Sequence, residues 1–172
     1  MQRWLWSLDS DVAQKNHGER FDVSANRLQA YKAHDNSRTG QLAAEAVADA
    51  AFDWESAKIE VRLRIDLLGL EDDHDRIGIT DESSKGIQRQ GVAVKPRNGH
   101  IYVNGCSVSR LPGPSLQAGV ALCFVFDPQA GTVAVSQHGN PPAVVSWQSR
   151  TGTRIRPALA LRRVGWRVSI VP

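Results

Sequence analysis

Two carboxylates that alternate along one strand could carry out glycosidase-type chemistry, because they would face a bound sugar together. Glu60 and Asp66 come nearest to this arrangement in the sequence. They stand six residues apart, and Arg62 and Arg64 lie between them on the same predicted face. The pattern therefore indicates a charge-balanced surface, not a catalytic centre.

The acidic run at 71–75, EDDHD, is the other group of possible metal ligands. It lacks the alternating oxygen ligands, the central glycine and the closing bidentate glutamate of an EF-hand loop, so we expect a solvated loop between two strands. Five dispersed histidines are also expected at the surface. They are His17, His34, His74, His100 and His138. No G-x-S-x-G, H-E-x-x-H, P-loop or G-x-G-x-x-G motif occurs, and we expect no enzymatic activity, catalytic residue, cofactor or metal site.

The composition is that of one domain. The chain has 172 residues, 41% of them hydrophobic, and a mean hydropathy of −0.33. No apolar stretch approaches the roughly 20 residues of a membrane helix, and the apolar start is too short for a signal peptide. Cys106 and Cys123 have no C-x-x-C spacing, which favours free thiols, with a single disulfide as the alternative. These features predict an intracellular, cytoplasmic protein.

The net charge of +3 conceals an asymmetry along the chain. Residues 1–82 contain 10 Lys/Arg against 17 Asp/Glu, a net charge of −7. Residues 83–172 contain 11 Lys/Arg against the single acid Asp127, a net charge of +10. The two halves could interleave in one fold and neutralise each other. Alternatively, the arginine-rich C-terminal half could form a basic face for RNA, an acidic protein or another polyanion.

Two segments give the strongest strand signals. Residues 58–67 alternate between apolar and charged side chains, which predicts a half-buried antiparallel strand. The side chains predicted to point inward are Ile59, Val61, Leu63, Ile65 and Leu67. Residues 120–126, VALCFVF, are apolar throughout, which predicts a central strand with both faces covered.

Turn signals separate further short apolar runs. Asn98-Gly99 is the residue pair favoured by a type I′ turn, and Gly131 is expected to supply a positive φ. Further strands are predicted at 21–23, 28–34, 77–80, 91–95, 100–103, 132–137, 144–147, 155–161 and 166–171. About a dozen short strands with hairpin connections predict an all-β fold of two stacked antiparallel sheets.

Residues 41–52 leave two structures open. Six alanines give the segment a high helix propensity, whereas its alternation of apolar residues permits a strand. We favour a small-residue strand that lies beneath another sheet. Trp54, Trp147 and Trp166 are predicted to be core residues. Trp4 and Trp6 could form an edge strand beside 166–171.

From residue 58 onward, the order of elements resembles the SPRY domain, a bent β-sandwich of the concanavalin-like jelly-roll class. KIEVRL (58–63) and RIGIT (76–80) stand in the places of the family's "WEV" and "VGI" strands. GVAVKPRNGHIYVNG (91–105) and VALCFVFDPQAGTVAVSQHGN (120–140) match its middle, and RPALALRRVGWRVSIV (156–171) matches its end. Ile59 and Arg156 replace two family aromatic residues, so the resemblance supports the fold more than the ligand. It implies a single domain over 1–172, best supported over 56–172, with 1–20 as an extension or edge strand.

The resemblance implies a protein-interaction module, an adaptor or complex subunit, that binds a peptide or protein surface with loops at one end of the sandwich. Position by position, 81–88 and 162–165 match parts of the family's binding rim. The candidate partner-binding residues are Asp81, Glu82, Ser84, Lys85, Gln88, Arg162, Arg163, Val164 and Gly165. An exposed guanidinium beside Val164 and Gly165 would suit an acidic or polar peptide.

Two other functions remain open. The chain could be a structural subunit of a large RNA–protein or other multi-protein assembly, whose basic half contacts phosphates. It could also be a carbohydrate-binding, lectin-like domain, although such a domain needs exposed aromatic platforms that the sequence does not make evident.

Overall fold

The computed structural model describes residues 5–6, 21–32, 44–48, 58–81, 86–149 and 155–171. In these ranges the chain forms thirteen strands. They are β1 (Phe21–Val23), β2 (Gln29–Lys32), β3 (Ala44–Val47), β4 (Ile59–Leu67), β5 (Arg76–Thr80), β6 (Val92–Val94), β7 (His100–Val103), β8 (Cys106–Arg110), β9 (Ala121–Asp127), β10 (Thr132–Gln137), β11 (Ala143–Ser146), β12 (Arg156–Leu161) and β13 (Arg167–Val171).

The strands build two antiparallel sheets, which confirms the all-β sandwich. One sheet has seven strands in the order β1-β2-β13-β4-β9-β10-β11, and the other has six in the order β3-β12-β5-β6-β7-β8. β13 lies between β2 and β4, and β12 lies between β3 and β5. The acidic first half and the basic second half of the chain therefore interleave in both sheets. The strand favoured within 41–52 is confirmed for Ala44–Val47.

The core lies between the sheets, where the inward residues of each strand alternate with outward ones. β4 contributes Val61, Leu63 and Ile65, all buried, as its alternation predicts. Trp147 and Trp166 are fully enclosed, and the Trp147 ring meets Phe126 edge-on with 5.4 Å between centroids. Their prediction as core residues is confirmed, whereas Trp54 lies outside the described residues.

The expectation that 120–126 would be covered on both faces is wrong. β9 is central, between β4 and β10, but only Leu122, Phe124 and Phe126 are buried. The intervening positions, among them Cys123 and Val125, are half-exposed on the outer face of the sheet. These outer side chains are small, so leaving them beside water exposes little apolar area and requires no third layer.

The end of β4 also departs from its predicted alternation. Arg167 of β13 pairs with Leu67, but Val168 pairs with Ile65, so the register shifts between the two. Such an irregularity re-aims the side chains beyond it. Leu67, predicted to point inward, is 44% exposed.

The type I′ turn forms at a different place from the one predicted. Asn104 and Gly105 have φ values of +50° and +86° and join β7 to β8, with Val103 paired to Cys106. At Asn98-Gly99 only the glycine has a positive φ, and the backbone N–H of Gly99 donates to the carbonyl of Lys95 over 2.9 Å. Pro96, with its fixed φ, lies within this longer loop. Gly131 has φ +63°, as predicted.

Trp6 is buried, but not beside β13. Its backbone bridges to Ala48, and its indole Nε1–H donates to the carbonyl of Leu28 over 3.1 Å. β2 occupies the edge of β13 that the sequence analysis assigned to this segment. Trp4 lies outside the described residues.

Candidate interaction rim

We use "the rim" for the surface formed by three connections, residues 67–75, 86–90 and 162–165. The loop 162–165 joins β12 to β13. The backbone N–H of Leu70 donates to the carbonyl of Val164 over 3.0 Å, and the indole Nε1–H of Trp166 donates to the carbonyl of Leu70 over 3.0 Å. Two hydrogen bonds, one from the N–H and one to the carbonyl of Leu70, therefore hold the connection after β4 against residues 164–166.

Gly69 makes this fastening possible through close approach. A Cβ atom at this position would lie 2.3 Å from Cδ1 of Trp166 and 2.6 Å from its backbone nitrogen. Only a residue without a side chain fits there. We call the four residues Leu67, Leu68, Gly69 and Leu70 the leucine loop, and the buried indole of Trp166 holds it at Gly69 and Leu70.

The acidic run is a loop between β4 and β5, as predicted, but it is not fully solvated. Asp75 is buried, and its carboxylate accepts the backbone N–H of Arg162 over 2.9 Å and that of Asp72 over 2.8 Å. One of these donors belongs to a distant loop, and the composition of the acidic run does not indicate such a partner. Asp75 thus joins two of the three connections of the rim.

Arg162 and Arg163 are engaged within the protein. Nη1 of Arg162 lies 3.8 Å from Oδ1 of Asp72, and Nε of Arg163 lies 3.9 Å from Oδ2 of the same carboxylate. The guanidinium groups that were predicted to bind an acidic peptide therefore face a carboxylate of this chain. Both residues nevertheless remain partly exposed at the rim.

Other ion pairs repeat this pattern. Lys95 lies 2.8 Å from Asp73, and Arg97 lies 3.7 Å from Glu71 and 3.6 Å from Asp73. Every one of these pairs joins an acid of residues 1–82 to a base of residues 83–172. The interpretation that the two halves neutralise each other across the fold is confirmed at the rim.

The turn at 86–90 contacts the neighbouring connection of the rim through Gln88. The side-chain amide of Gln88 donates to the carbonyl of His74 over 2.8 Å. Next to it, Ile87 is buried over Ala93, Ala158 and Ala160. Those alanines alternate with core positions, so the turn folds across the outer face of the six-stranded sheet.

Asp81 is not available to a partner, which corrects its place among the candidate residues. It is fully buried and accepts the side-chain amide of Gln90 over 3.1 Å. It follows the last residue of β5, whereas Asp75 precedes the first, so the two carboxylates lie at opposite ends of that strand. Glu82, Ser84 and Lys85 lie outside the described residues. Of the two predicted loops, the rim therefore combines Gln88 with Arg162, Arg163, Val164 and Gly165.

The apolar part of the rim was not predicted from the sequence. Leu67, Leu68 and Leu70 are 44%, 43% and 60% exposed, so three large apolar side chains meet solvent within four residues. Exposed apolar side chains that cluster in this way mark interaction sites. The available signal was the persistence of leucines beyond the end of the β4 alternation, directly before the acidic run.

The charged side chains on the outer face of β4 and the two cysteines lie outside the rim. The outer face of β4 is charge-balanced, as predicted, with Glu60 paired to Arg62 at 2.5 Å and Asp66 to Arg64 at 2.6 Å. Cys106 and Cys123 are free thiols in different sheets. Across the part of the chain that the structure describes, no three His, Cys, Asp or Glu residues gather as a metal site, and no helix could span a bilayer.

Burial raises the pKa of the Asp75 carboxyl from 3.8 to about 6, and the backbone N–H groups of Arg162 and Asp72 oppose the rise. Asp75 therefore binds its proton more tightly in the folded than in the unfolded chain. Its protonation contributes stability below pH 3.8, and that contribution is lost as the pH rises through about 6.

Because asparagine does not titrate, Asp75→Asn should remove this pH dependence. We expect the stability of the wild type relative to D75N to fall by up to about 3 kcal/mol between roughly pH 4 and pH 8, since one pKa unit corresponds to about 1.4 kcal/mol. Urea unfolding of both proteins across this range measures the difference, and all other carboxylates cancel. A difference that is independent of pH would show that Asp75 titrates like a solvated carboxyl.

No model of a known protein family matches the sequence, and no curated protein matches it. Solved structures do match. The SPRY domain of human HERC1 superimposes with a TM-score of 0.62 at 14% identity, over 87% of this chain and 91% of that one. The PSpry domain of TRIM65 superimposes with a TM-score of 0.68 at 15% identity, over 99% of this chain and 93% of that one. The chain has a SPRY fold.

The chain also resembles part of a larger protein. The stonustoxin structure matches with a TM-score of 0.60 at 9% identity, over 98% of this chain and 28% of that chain. Identities this low establish the arrangement of strands and leave the ligand open. The resemblance inferred from residues 58–171 is thereby confirmed for the SPRY fold.

Proposed function

We propose that this SPRY-fold chain is a non-enzymatic interaction module that binds a peptide or protein surface at the rim. The observation that carries the proposal is the leucine loop, an exposed apolar segment held in one conformation by Gly69, Val164 and Trp166. A preformed apolar anchor binds without a large ordering cost. The SPRY domains that share the fold support a protein partner in general, and two free thiols suit an adaptor or complex subunit inside the cell.

The chemistry of the rim favours a partner that presents an apolar side chain. Leu68 and Leu70 supply apolar area, while Arg163 and Asp73 supply polar contacts at its border. An apolar centre with a polar margin is the usual composition of a protein interface. A purely acidic peptide fits less well, because Asp72 already faces Arg162 and Arg163.

Neither RNA contact nor carbohydrate binding has support comparable to that of a protein partner. Arg162 and Arg163 of the rim, and Lys95 and Arg97 beside it, are paired with acids of the same chain. Two shallow hollows of about 290 and 230 Å³ open on the outer face of the seven-stranded sheet. No Phe, Tyr or Trp side chain is found among the described residues that line them, whereas a sugar site needs such a flat platform.

Leu70→Asp is the variant that tests the rim. Because Leu70 is 60% exposed, the change should leave the fold intact while placing a charge at the centre of the proposed interface. Val108→Asp is the matched control, since Val108 is 53% exposed on β8, in the other sheet. Wild type and both variants are used as baits in an extract of the source cell, with quantitative mass spectrometry of the retained proteins.

We expect at least one protein to be retained by wild type and by V108D and to fall about tenfold or more with L70D, as expected for loss of a central anchor. The melting temperatures of the three baits should agree. If L70D retains the same proteins in the same amounts as V108D, the rim is not the binding surface.

A further inference from the structure

β11 forms one of the two edges of the seven-stranded sheet, and β1 forms the other. On one side β11 pairs with β10, with Val145 opposite Val133 and Val144 opposite Ala134. No other strand in the described ranges pairs with its second side. An edge strand of this kind presents unpaired backbone N–H and C=O groups to solvent.

The ladder shows which backbone groups face the open side. The N–H of Trp147 donates to the carbonyl of Gly131 in the turn before β10, over 2.9 Å. Because alternate residues of an antiparallel strand point to opposite neighbours, Val145 and Ala143 also direct their groups towards β10. Val144 and Ser146 therefore direct their N–H and C=O groups outward.

Although β11 is short and follows two prolines, it lacks two other features that usually prevent edge-to-edge pairing, a charged side chain and a bulge. Residues 139–149 contain no charged side chain, the register with β10 is regular, and Val144 is 63% exposed. The edge strand β8 of the six-stranded sheet differs in charge and in register. Its register with β7 shifts, and it ends in Arg110. Bulges and charges of this kind protect an edge strand, and β11 has neither.

We propose that β11 pairs antiparallel with β11 of a second copy of this chain, which joins the two seven-stranded sheets edge to edge. With Val145 on the two-fold axis, Val144 lies opposite Ser146 of the second copy. This register pairs the outward N–H and C=O groups of both residues in both copies. The next register would place Pro142, which has no N–H, opposite Ser146.

A second copy is the occupant that the edge fits best. The two-fold arrangement is self-complementary, and the neutral strand meets no like charge when it faces itself. On the outer face, Val144 continues a cross-strand row with Ala134 and Val125, so each copy adds apolar surface beside the other. The interface is small, so the dimer should be weak and concentration-dependent.

This dimer goes beyond the proposed function, because it uses a different edge of the molecule. β10 and β9 separate β11 from β4, the strand that leads into the leucine loop. Both rims of the dimer would therefore remain open. A partner with two binding segments would gain affinity from the second rim.

Sedimentation equilibrium of the full chain from micromolar to millimolar concentration tests the proposal. We expect the mass to rise from that of one chain towards twice that value. Val144→Pro and Ser146→Pro each remove one outward N–H without removing a bond to β10, and both should remain monomeric. Val144→Thr keeps the N–H and the strand propensity and should dimerise like the wild type.

Circular dichroism and the melting temperature establish that the proline variants are folded. If a proline variant unfolds, hydrogen exchange of the wild type decides instead, because the amides of Val144 and Ser146 should be protected more strongly as the concentration rises. A wild type that is monomeric throughout would overturn the proposal. A dimer that survives both proline variants, or amide exchange that does not respond to concentration, would also overturn it.

Discussion

Replacing Phe124 with alanine is expected to lower the free energy of unfolding by about 3–5 kcal/mol. Phe124 is fully buried at the middle of β9, between β4 and β10 in the seven-stranded sheet. Removing its ring loses the transfer free energy of the side chain and leaves a cavity that two hydrogen-bonded sheets cannot close. Urea unfolding at equilibrium measures the loss.

Val125→Ala is the matched control for Phe124→Ala. Val125 is the next residue of the same strand, but it lies half-exposed on the outer face. The control should lower the free energy of unfolding by less than about 1 kcal/mol. Equal losses for the two variants would mean that β9 has no inner and outer face, which contradicts the sandwich.

Trp166→Ala is expected to lower the free energy of unfolding by a similar amount, about 3–5 kcal/mol, and also to release the leucine loop. The indole of Trp166 is fully buried, packs against Gly69 and donates to the carbonyl of Leu70. Without it the loop loses both its packing and one of its hydrogen bonds. Hydrogen exchange at the Leu70 amide, which donates to Val164, should accelerate in the folded variant.

Trp166→Phe separates the two contributions. Phenylalanine keeps an aromatic ring in the core and removes only the donor to Leu70, which should lower the free energy of unfolding by roughly 1 kcal/mol for the hydrogen bond, plus a small packing loss. The Leu70 amide should exchange at an intermediate rate. If neither variant changes that exchange, the leucine loop is held by something other than Trp166.

The sequence was sufficient for the layers of the fold, because they follow from short-range periodicity. Alternation over 58–67 identified Val61, Leu63 and Ile65 as core residues, and the structure buries all three. It failed at Leu67, where a register shift in the pairing with β13 overrides the alternation. The shift depends on a strand about 100 residues further along the chain, so no local pattern contains it.

The rim was predictable only in part, for the same reason. Arg162, Arg163 and Val164 do lie at a surface loop, as the SPRY resemblance implied. The two arginine side chains lie beside Asp72 from the other half of the chain, and the backbone N–H of Arg162 donates to Asp75 across 87 positions of sequence. A run of acidic residues is predicted to be solvated when only its own sequence is considered. A backbone N–H group that binds it comes from a distant loop, so the local pattern does not contain that donor.

Site-specific photocross-linking tests the central claim, that the rim is the binding surface, most directly. A photoreactive amino acid replaces Leu70 in one bait and Val108 in another, because both positions are exposed. After irradiation in an extract of the source cell, we predict a specific cross-linked protein from position 70 and none from position 108. Cross-links of equal yield and identity from both positions, or from position 108 alone, would contradict the account.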